Sequence, residues 1–108
     1  LGEKRAIPLI RSVLHDKSLR DNVRRYAARA LGQIDAEGNK QELLRAFDES
    51  AEPALWPLRL DIAKALIRVK DRSVVNKLES WSRGERSSVA RRKFEEVVAE
   101  MKRQLPPL

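Results

Sequence analysis

Two arginines that stand four residues apart are the first side chains in this sequence that could do chemistry. Arg25 and Arg29 belong to the segment VRRYAARALGQI, and their spacing places both guanidinium groups on one side of a helix. A guanidinium group donates hydrogen bonds in a planar fork that fits carboxylates and phosphates. The later segment LRLDIAKALIRV carries Lys64 and Arg68 at the same spacing. These four cations predict a surface that binds anions.

A second cationic cluster precedes the last helical segment. The stretch RGERSSVARRK contains Arg92 and Lys93 together with three further arginines, Arg83, Arg86 and Arg91. Cations at the start of a helix face the positive end of its dipole, which costs free energy unless something offsets it. An anion bound there, with Ser87 or Ser88 as the N-cap, would do so. Screening by solvent would also make the cost negligible, so both explanations stay open.

Residues that support catalysis are scarce. His15 is the only histidine and there is no cysteine, so neither an ordinary zinc site nor a thiol nucleophile can be assembled. His15 is expected at the end of a helix, where a partial positive charge suits the terminal carbonyl groups. No phosphate-binding glycine motif occurs. The sequence therefore predicts no catalytic residues, no cofactor, no metal and no enzymatic activity.

The charge distribution bears on the nature of the anionic partner. The chain of 108 residues carries a net charge of +7, with +4 in residues 1–35, 0 in residues 36–70 and +3 in residues 71–108. A nucleic acid prefers an unbroken positive track, because each neutralised phosphate adds affinity. Glu96 and Glu100 interrupt this track, and few aromatic side chains are present to stack on bases. An acidic protein surface is the favoured partner, with nucleic acid as the alternative.

The composition also indicates a compartment. With 42% hydrophobic and 36% charged residues, the chain is too apolar for a disordered protein and too charged for a membrane protein. The first residues, LGEKRAIPLI, lack the apolar block of a signal peptide. We therefore expect a cytoplasmic protein without membrane contact. Because the chain begins with Leu1, we also expect it to be a fragment of a longer protein.

The elements that must position the cations are helices. In EKRAIPLIRSVLHD the apolar residues recur at the spacing of one helix face, and Pro8 suits a first helical turn. Ser18 followed three residues later by Asp21 predicts the start of the next helix. The apolar face of that helix consists of Ala27, Ala30, Leu31 and Ile34. A short turn between the two helices makes them a hairpin.

This hairpin repeats along the chain. Aligning residues 23–34 with residues 58–69 matches Arg24 with Arg59 at an offset of 35 residues. The same alignment matches Ala28 with Ala63, Ala30 with Ala65 and Leu31 with Leu66. A looser third copy places Arg91 at the position of Arg24, 67 residues further on. The predicted units are residues 3–35, 38–70 and 71–103.

The second helix of the middle unit is apolar on two sides. Leu60 and Ile67 lie opposite the face formed by Leu58, Ile62, Leu66 and Val69. A helix with neighbours on both sides would bury this excess. An exposed groove that binds a partner is the alternative explanation.

The segments AIPLIRSVL and VRRYAARALGQI resemble the HEAT repeat, in particular the short variety of phycobilisome-lyase-like proteins. The second helix of that repeat carries V-R-x-x-A-A-x-A-L-G-x-I. The resemblance implies an all-α fold, an α-α superhelix (HEAT-like solenoid) of about three helical hairpins in one domain over residues 1–108. The second unit departs from the pattern, because Ile67 takes the place of Gly32.

The same resemblance implies a structural role for the repeated arginine. In HEAT-like proteins this arginine pairs with a carboxylate or a carbonyl group of an adjacent turn, so Arg24, Arg59 and Arg91 are expected to stabilise the fold. The candidate partners are Asp16, Asp21, Asp48 and Glu52.

The remaining cations predict the function. We interpret the chain as a protein–protein interaction or scaffold module that binds an acidic partner through Arg25, Arg29, Lys64, Arg68, Arg92 and Lys93. Nucleic-acid binding through the same residues is the alternative. HEAT-like families also include bilin lyases and alkylpurine DNA glycosylases, and the nearest analogues of the glycosylase site are Trp56, Asp61 and Arg59. The repeat motif is generic to the architecture and assigns neither activity.

Overall fold

Helical hairpins follow one another along the chain, as the repeat predicted. A computed structural model describes residues 2–107. The helices are α1 (Gly2–Arg5), α2 (Ile7–His15), α3 (Asp21–Asp35), α4 (Lys40–Glu49), α5 (Trp56–Ala65), α6 (Arg72–Arg83) and α7 (Ser88–Gln104). A short 3₁₀ helix, Pro53–Leu55, precedes α5. Between residues 2 and 107 there is no strand, and the all-α, HEAT-like arrangement of hairpins is confirmed.

The second helices of the three hairpins lie side by side. α5 occupies the middle, where it packs against α3, α7 and its own partner α4. All residues from 58 to 63 are buried, and Leu60 is among them. Ile67 is half-buried just beyond the end of the helix. The apolar residues on two sides of α5 are thus explained mainly by its two neighbours.

Local sequence explains where several helices begin. Pro8 occupies the first turn of α2, as predicted, where its missing N–H costs nothing. Asp71 caps α6 by accepting a hydrogen bond from the amide of Ser73. Ser87 caps α7 by accepting one from the amide of Ala90, which confirms one of the two predicted caps.

The helix start predicted at Ser18 lies three residues further on, because Ser18 has another partner. The amide and the hydroxyl of Ser18 both donate to the Asp16 carboxylate, at 2.9 and 2.6 Å. These hydrogen bonds lower the pKa of Asp16 from its usual value. α3 begins at Asp21 with Arg20 at the cap position and no side-chain cap. Ser18 therefore holds the turn between α2 and α3 rather than the helix itself.

The end of α5 also differs from the prediction. The aligned segment extends to residue 69, but the helix stops at Ala65. The amide of Leu66 donates to both Ile62 and Ala63, and the amide of Val69 donates to Leu66. Because the chain continues in short turns after Ala65, Arg68 lies outside the helix. Lys64 and Arg68 consequently do not form one row along a continuous helix.

Three aromatic rings connect the second and third hairpins. Phe47 of α4, Trp81 of α6 and Phe94 of α7 meet edge to face, with ring centroids 4.6 to 6.4 Å apart. Phe94 is fully buried, and Val98 and Met101 are almost fully buried. The apolar positions predicted from the loose third copy therefore face the core.

No helix among residues 2–107 combines the length and the apolar character that crossing a membrane requires. The cytoplasmic location stays a prediction.

Candidate functional site

Four of the predicted cations line one groove between the first and second hairpins. Arg25 and Arg29 come from α3, Lys64 from α5, and Arg68 from the turn that follows α5. The groove has a volume of about 540 Å³. The other side chains and backbone that line it belong to Gly32, Gln33, Asp61, Ala65, Ile67 and Gln104. The structure thus brings together residues that are more than thirty positions apart in the sequence.

Asp61 holds both arginines of α3 in the groove. Its carboxylate accepts a hydrogen bond from Arg25 Nε at 2.5 Å and another from Arg29 Nη2 at 3.2 Å. The Asp61 side chain is only 6% exposed, whereas those of Arg25 and Arg29 are 35% and 44% exposed. The sequence predicted no partner within the chain for either arginine. The structure corrects this, because Asp61 binds both. Both guanidinium groups are positioned by Asp61, and both residues line the groove.

The groove keeps an excess of positive charge after this pairing. Lys64 and Arg68 are exposed. Among the side chains of residues 4–107, no carboxylate forms an ion pair with either of them. Asp61 is the one acidic residue among the groove residues, against four cations. An anionic group is the ligand that this charge distribution favours.

Arg92 and Lys93 lie apart from the other four cations. They line a separate cavity of about 250 Å³ on α7, together with Ser88, Val89 and Glu96. The far end of α7 reaches the groove through Gln104, which is about 18 Å from Arg92 along the helix axis at 1.5 Å per residue. The six predicted binding residues therefore form two sites rather than one surface.

The start of α7 has partners inside the chain. Ser87 accepts from the Ala90 amide, and the Glu85 carboxylate accepts from the Ser87 amide at 3.1 Å. Arg91 donates to the carbonyl of Glu85 at 3.2 Å. These contacts satisfy helix-start donors and supply a nearby negative charge. The anion that was considered at this helix start is not needed to explain the arginines.

The repeated arginines bind carbonyl groups. Arg24 is buried and donates to the carbonyl of Leu14 at 2.9 Å. Arg59 donates to the carbonyls of Ser50 and Glu52 and stacks on Trp81. Burial lowers the pKa of Arg59, and the nearby Glu85 carboxylate opposes this shift. The predicted structural role is supported, and of the candidate partners Glu52 accepts a hydrogen bond from Arg59 through its carbonyl group rather than its carboxylate.

His15 also contacts side chains of the next hairpin. It ends α2, as predicted, and its Nε2 lies 2.6 Å from the Glu42 carboxylate. Its Nδ1 lies 3.3 Å from Glu49. The hydrogen bond with His15 lowers the pKa of Glu42. The two carboxylates contact different ring nitrogens of His15, and the described residues contain no cluster of side chains able to hold a metal ion.

The three residues predicted as analogues of a glycosylase site do not lie together in one site. Arg59 faces Ser50, Glu52 and Trp81, whereas Asp61 faces the arginines of α3. Trp56 is half-buried against the core.

The pairing of Asp61 with Arg25 and Arg29 is what sequence reasoning missed, because Asp61 was named only as an analogue of a glycosylase residue. Its signal was present, because an acid interrupts the apolar segment LRLDIA. The 35-residue alignment sets Asp61 opposite Tyr26, so the repeat itself did not indicate a role.

Fold and sequence together define the class of protein. Residues 23–55 match the family model of the PBS lyase HEAT-like repeat. The hairpins stack through their second helices, and the predicted resemblance to the HEAT-like repeat is confirmed.

A curated relative is the deoxyhypusine hydroxylase of Arabidopsis thaliana, which is 39% identical over 87 residues. The match covers 81% of this chain, and the chain spans only 27% of the length of that relative. No solved structure matches the chain. The prediction of no enzymatic activity is contradicted by this similarity, because the relative is an enzyme by name.

Proposed function

We propose that this chain is a binding module whose groove holds an acidic segment of another protein. The observation that carries this proposal is the groove itself, where four cations surround a single buried carboxylate. Arg25 and Arg29 are fixed by Asp61, so less side-chain entropy is lost when they bind a ligand. Lys64 and Arg68 add charge without competing partners among the described residues.

The shape of the groove favours a peptide segment over a duplex. Its lining includes Gly32, Ala65 and the half-buried Ile67, which offer apolar contact beside the cations. An interface with apolar and charged parts keeps some affinity at high salt. Binding to phosphates alone would weaken steeply with salt. Arg92 and Lys93 are proposed as a second contact of the same partner on α7.

The first experiment is fluorescence anisotropy with a labelled peptide of about ten glutamate and leucine residues, titrated at low and at physiological salt. The groove variant is Lys64→Glu/Arg68→Glu, which leaves the pairing of Asp61 intact. The matched control is Lys17→Glu/Arg20→Glu, which makes the same charge change at exposed positions outside the groove. We expect the groove variant to lose about tenfold or more in affinity and the control to lose much less.

Equal losses in both variants would show that net charge alone attracts the peptide and would remove the groove from the proposal. A labelled DNA duplex measured in parallel tests the alternative. If the duplex binds more tightly than the peptide and its affinity collapses at the higher salt, nucleic acid becomes the proposed partner.

A second candidate function rests on the similarity to deoxyhypusine hydroxylase. We infer that the module belongs to a protein of that enzymatic kind, in which it contributes binding surface beside the reacting site. Titration of the chain with a labelled deoxyhypusine-containing peptide, and with the same peptide carrying lysine instead, tests this. Tighter binding of the modified peptide supports the inference, and equal affinity for the two peptides argues against it.

A further inference from the structure

The two arginines of α3 in the groove converge on a single oxygen atom. Arg25 Nε and Arg29 Nη2 both donate to Oδ2 of Asp61, at 2.5 and 3.2 Å, so these two nitrogens are less than about 6 Å apart. Arg29 has a second contact, because its guanidinium carbon lies 5.1 Å from the centre of the Tyr26 ring. Two groups that repel each other are thus kept close together by one carboxylate.

Most hydrogen-bond donors of this arginine pair have no partner in the chain. A guanidinium group has five N–H donors, and each arginine uses one of them on Asp61. Among residues 4–107, no other group forms a hydrogen bond or an ion pair with Arg25 or Arg29. Asp61 itself is buried, whereas both arginines reach solvent. A ligand in the groove would therefore meet exposed donors and little of the compensating negative charge.

The charge of the groove exceeds what one ligand carboxylate can neutralise. Arg25, Arg29, Lys64 and Arg68 oppose only Asp61 among the lining residues, which leaves an excess of three positive charges. A glutamate brings one negative charge and two acceptor oxygens, whereas a phosphorylated serine or threonine brings about −1.5 to −2 at pH 7 and three acceptor oxygens. A phosphate also accepts the paired donors of an arginine fork. It therefore fits both the charge and the donors better than a carboxylate does.

We propose that the groove binds a phosphorylated serine or threonine within a segment of another protein. The proposal rests on the function proposed above and specifies its ligand. Arg25 and Arg29 bind the phosphate, and Lys64 and Arg68 neutralise acidic residues beside it. The half-buried Ile67 gives the segment apolar contact that a free phosphate ion would not use. A nucleic acid fits less well, because each of its phosphates carries only one charge.

The test compares three short labelled peptides by fluorescence anisotropy at physiological salt. Glutamate and leucine residues flank one central position, which is serine, phosphoserine or glutamate. We expect the phosphoserine peptide to bind about tenfold more tightly than the serine peptide, and more tightly than the glutamate peptide, because charge-assisted hydrogen bonds to phosphate are added. A phosphoserine peptide that binds no more tightly than the glutamate peptide would overturn the proposal.

A pH series gives a second reading that needs no variant of the protein. Phosphoserine loses its second proton near pH 6, where glutamate is already ionised. We expect the affinity for the phosphoserine peptide to rise about threefold or more between about pH 5 and pH 7.5, and that for the glutamate peptide to change less. The glutamate peptide also controls for protonation of the protein itself, for example at His15. Parallel pH dependences would contradict binding of the phosphate dianion.

The variant Arg25→Lys/Arg29→Lys keeps the charge of the groove and removes both planar forks. We expect it to bind the phosphoserine peptide about fivefold to tenfold more weakly and the glutamate peptide about twofold more weakly or less. The matched control is Arg5→Lys/Arg20→Lys, at exposed positions outside the groove, and circular dichroism verifies that both variants are folded. Equal losses for the two peptides would show that the arginine pair does not select phosphate.

The outcomes separate this proposal from the broader function. If Lys64→Glu/Arg68→Glu weakens all three peptides and phosphoserine has no advantage, the acidic segment remains the ligand and the phosphate preference is wrong. If that variant weakens none of them, both proposals fail. Displacement of the phosphoserine peptide by an equal concentration of inorganic phosphate would show that the groove recognises the ion alone. Tighter binding of a DNA duplex than of the phosphoserine peptide would overturn the proposal in favour of nucleic acid.

Discussion

Gly32 sets the distance between the first and second hairpins. The backbone of α3 passes so close to α5 that a Cβ at this position would lie 2.7 Å from Ala65 Cβ and 2.8 Å from Ala65 Cα. Contacts of this kind with backbone atoms cannot be relieved by rotating a side chain. The glycine is therefore needed for packing and not for a special backbone conformation, since it lies within α3.

We expect Gly32→Ala to destabilise the protein by roughly 1–3 kcal/mol, because the two helices must separate. In a helix without this contact, glycine to alanine would stabilise by about 0.5–1 kcal/mol. Urea denaturation followed by circular dichroism measures the difference. The control is Gly84→Ala, where the added Cβ meets its nearest atom at an ordinary 3.6 Å and little change is expected. An increase in stability for Gly32→Ala would contradict the packing explanation.

Arginines of the same helix have different roles that their residue type does not reveal. Arg24 is buried and bound to the carbonyl of Leu14. Arg25, the next residue, is half-exposed and bound to Asp61 in the groove. A step of about 100° around the helix separates the fold-stabilising side chain from the proposed binding side chain.

At the level of elements, α6 depends on one carboxylate. Asp71 accepts hydrogen bonds from the amide and the hydroxyl of Ser73 at 2.9 and 2.6 Å, and from Lys40 at 3.1 Å. Hydrogen bonds from Ser73 and then from Lys40 lower the pKa of Asp71 from 3.8 to about 2. The cap thus joins the start of α6 to the start of α4 in the preceding hairpin.

This shift predicts an acid-dependent loss of stability. Since the folded pKa is depressed, Asp71 stabilises the protein fully above its ordinary pKa of 3.8, and this contribution is lost as pH falls towards about 2. We expect Asp71→Asn to lower the urea midpoint near pH 6 and the difference from the natural chain to shrink between about pH 4 and pH 2. Asp21→Asn, at the exposed start of α3, is the comparison. A difference that stayed constant down to pH 2 would contradict the assigned role of the carboxylate.

At the level of the whole molecule, the stack depends on contacts between hairpins. Ionic contacts, such as Asp61 with two arginines, join the first hairpin to the second. Aromatic contacts join the second to the third, where Phe94 touches rings from two other helices. Stability in repeat proteins is approximately a sum of hairpin and interface contributions. Weakening one interface should therefore release one hairpin.

We expect Phe94→Ala to cost roughly 3–5 kcal/mol, because a fully buried ring is removed and a cavity remains. Loss of the ring should also lower the urea m-value, as the third hairpin unfolds separately. Val89→Ala, on the same helix but 57% exposed, should change stability by about 0.5 kcal/mol or less. Equal effects of the two substitutions would show that the aromatic cluster does not hold the third hairpin.

The sequence by itself determined the helices, the repeat and the identity of the cations. Helical periodicity is a local property, because side chains three and four positions apart share a face regardless of the rest of the chain. The 35-residue alignment then indicated stacking and the fold-stabilising role of Arg24 and Arg59. Local hydrogen bonds at the boundaries of helices were harder to predict. For that reason the start of α3 and the end of α5 lie at other residues than the sequence predicted.

Only the tertiary structure decided which charges face one another. Asp61 lies 36 residues from Arg25, and no local pattern relates the two. The same stacking separated Arg92 and Lys93 from the groove and left Tyr26 exposed on the first hairpin. The contact between two side chains depends on the distance and rotation of whole helices, which small residues such as Gly32 determine. The sequence therefore specified the parts of the proposed site, and the packing of α3 against α5 made them a groove.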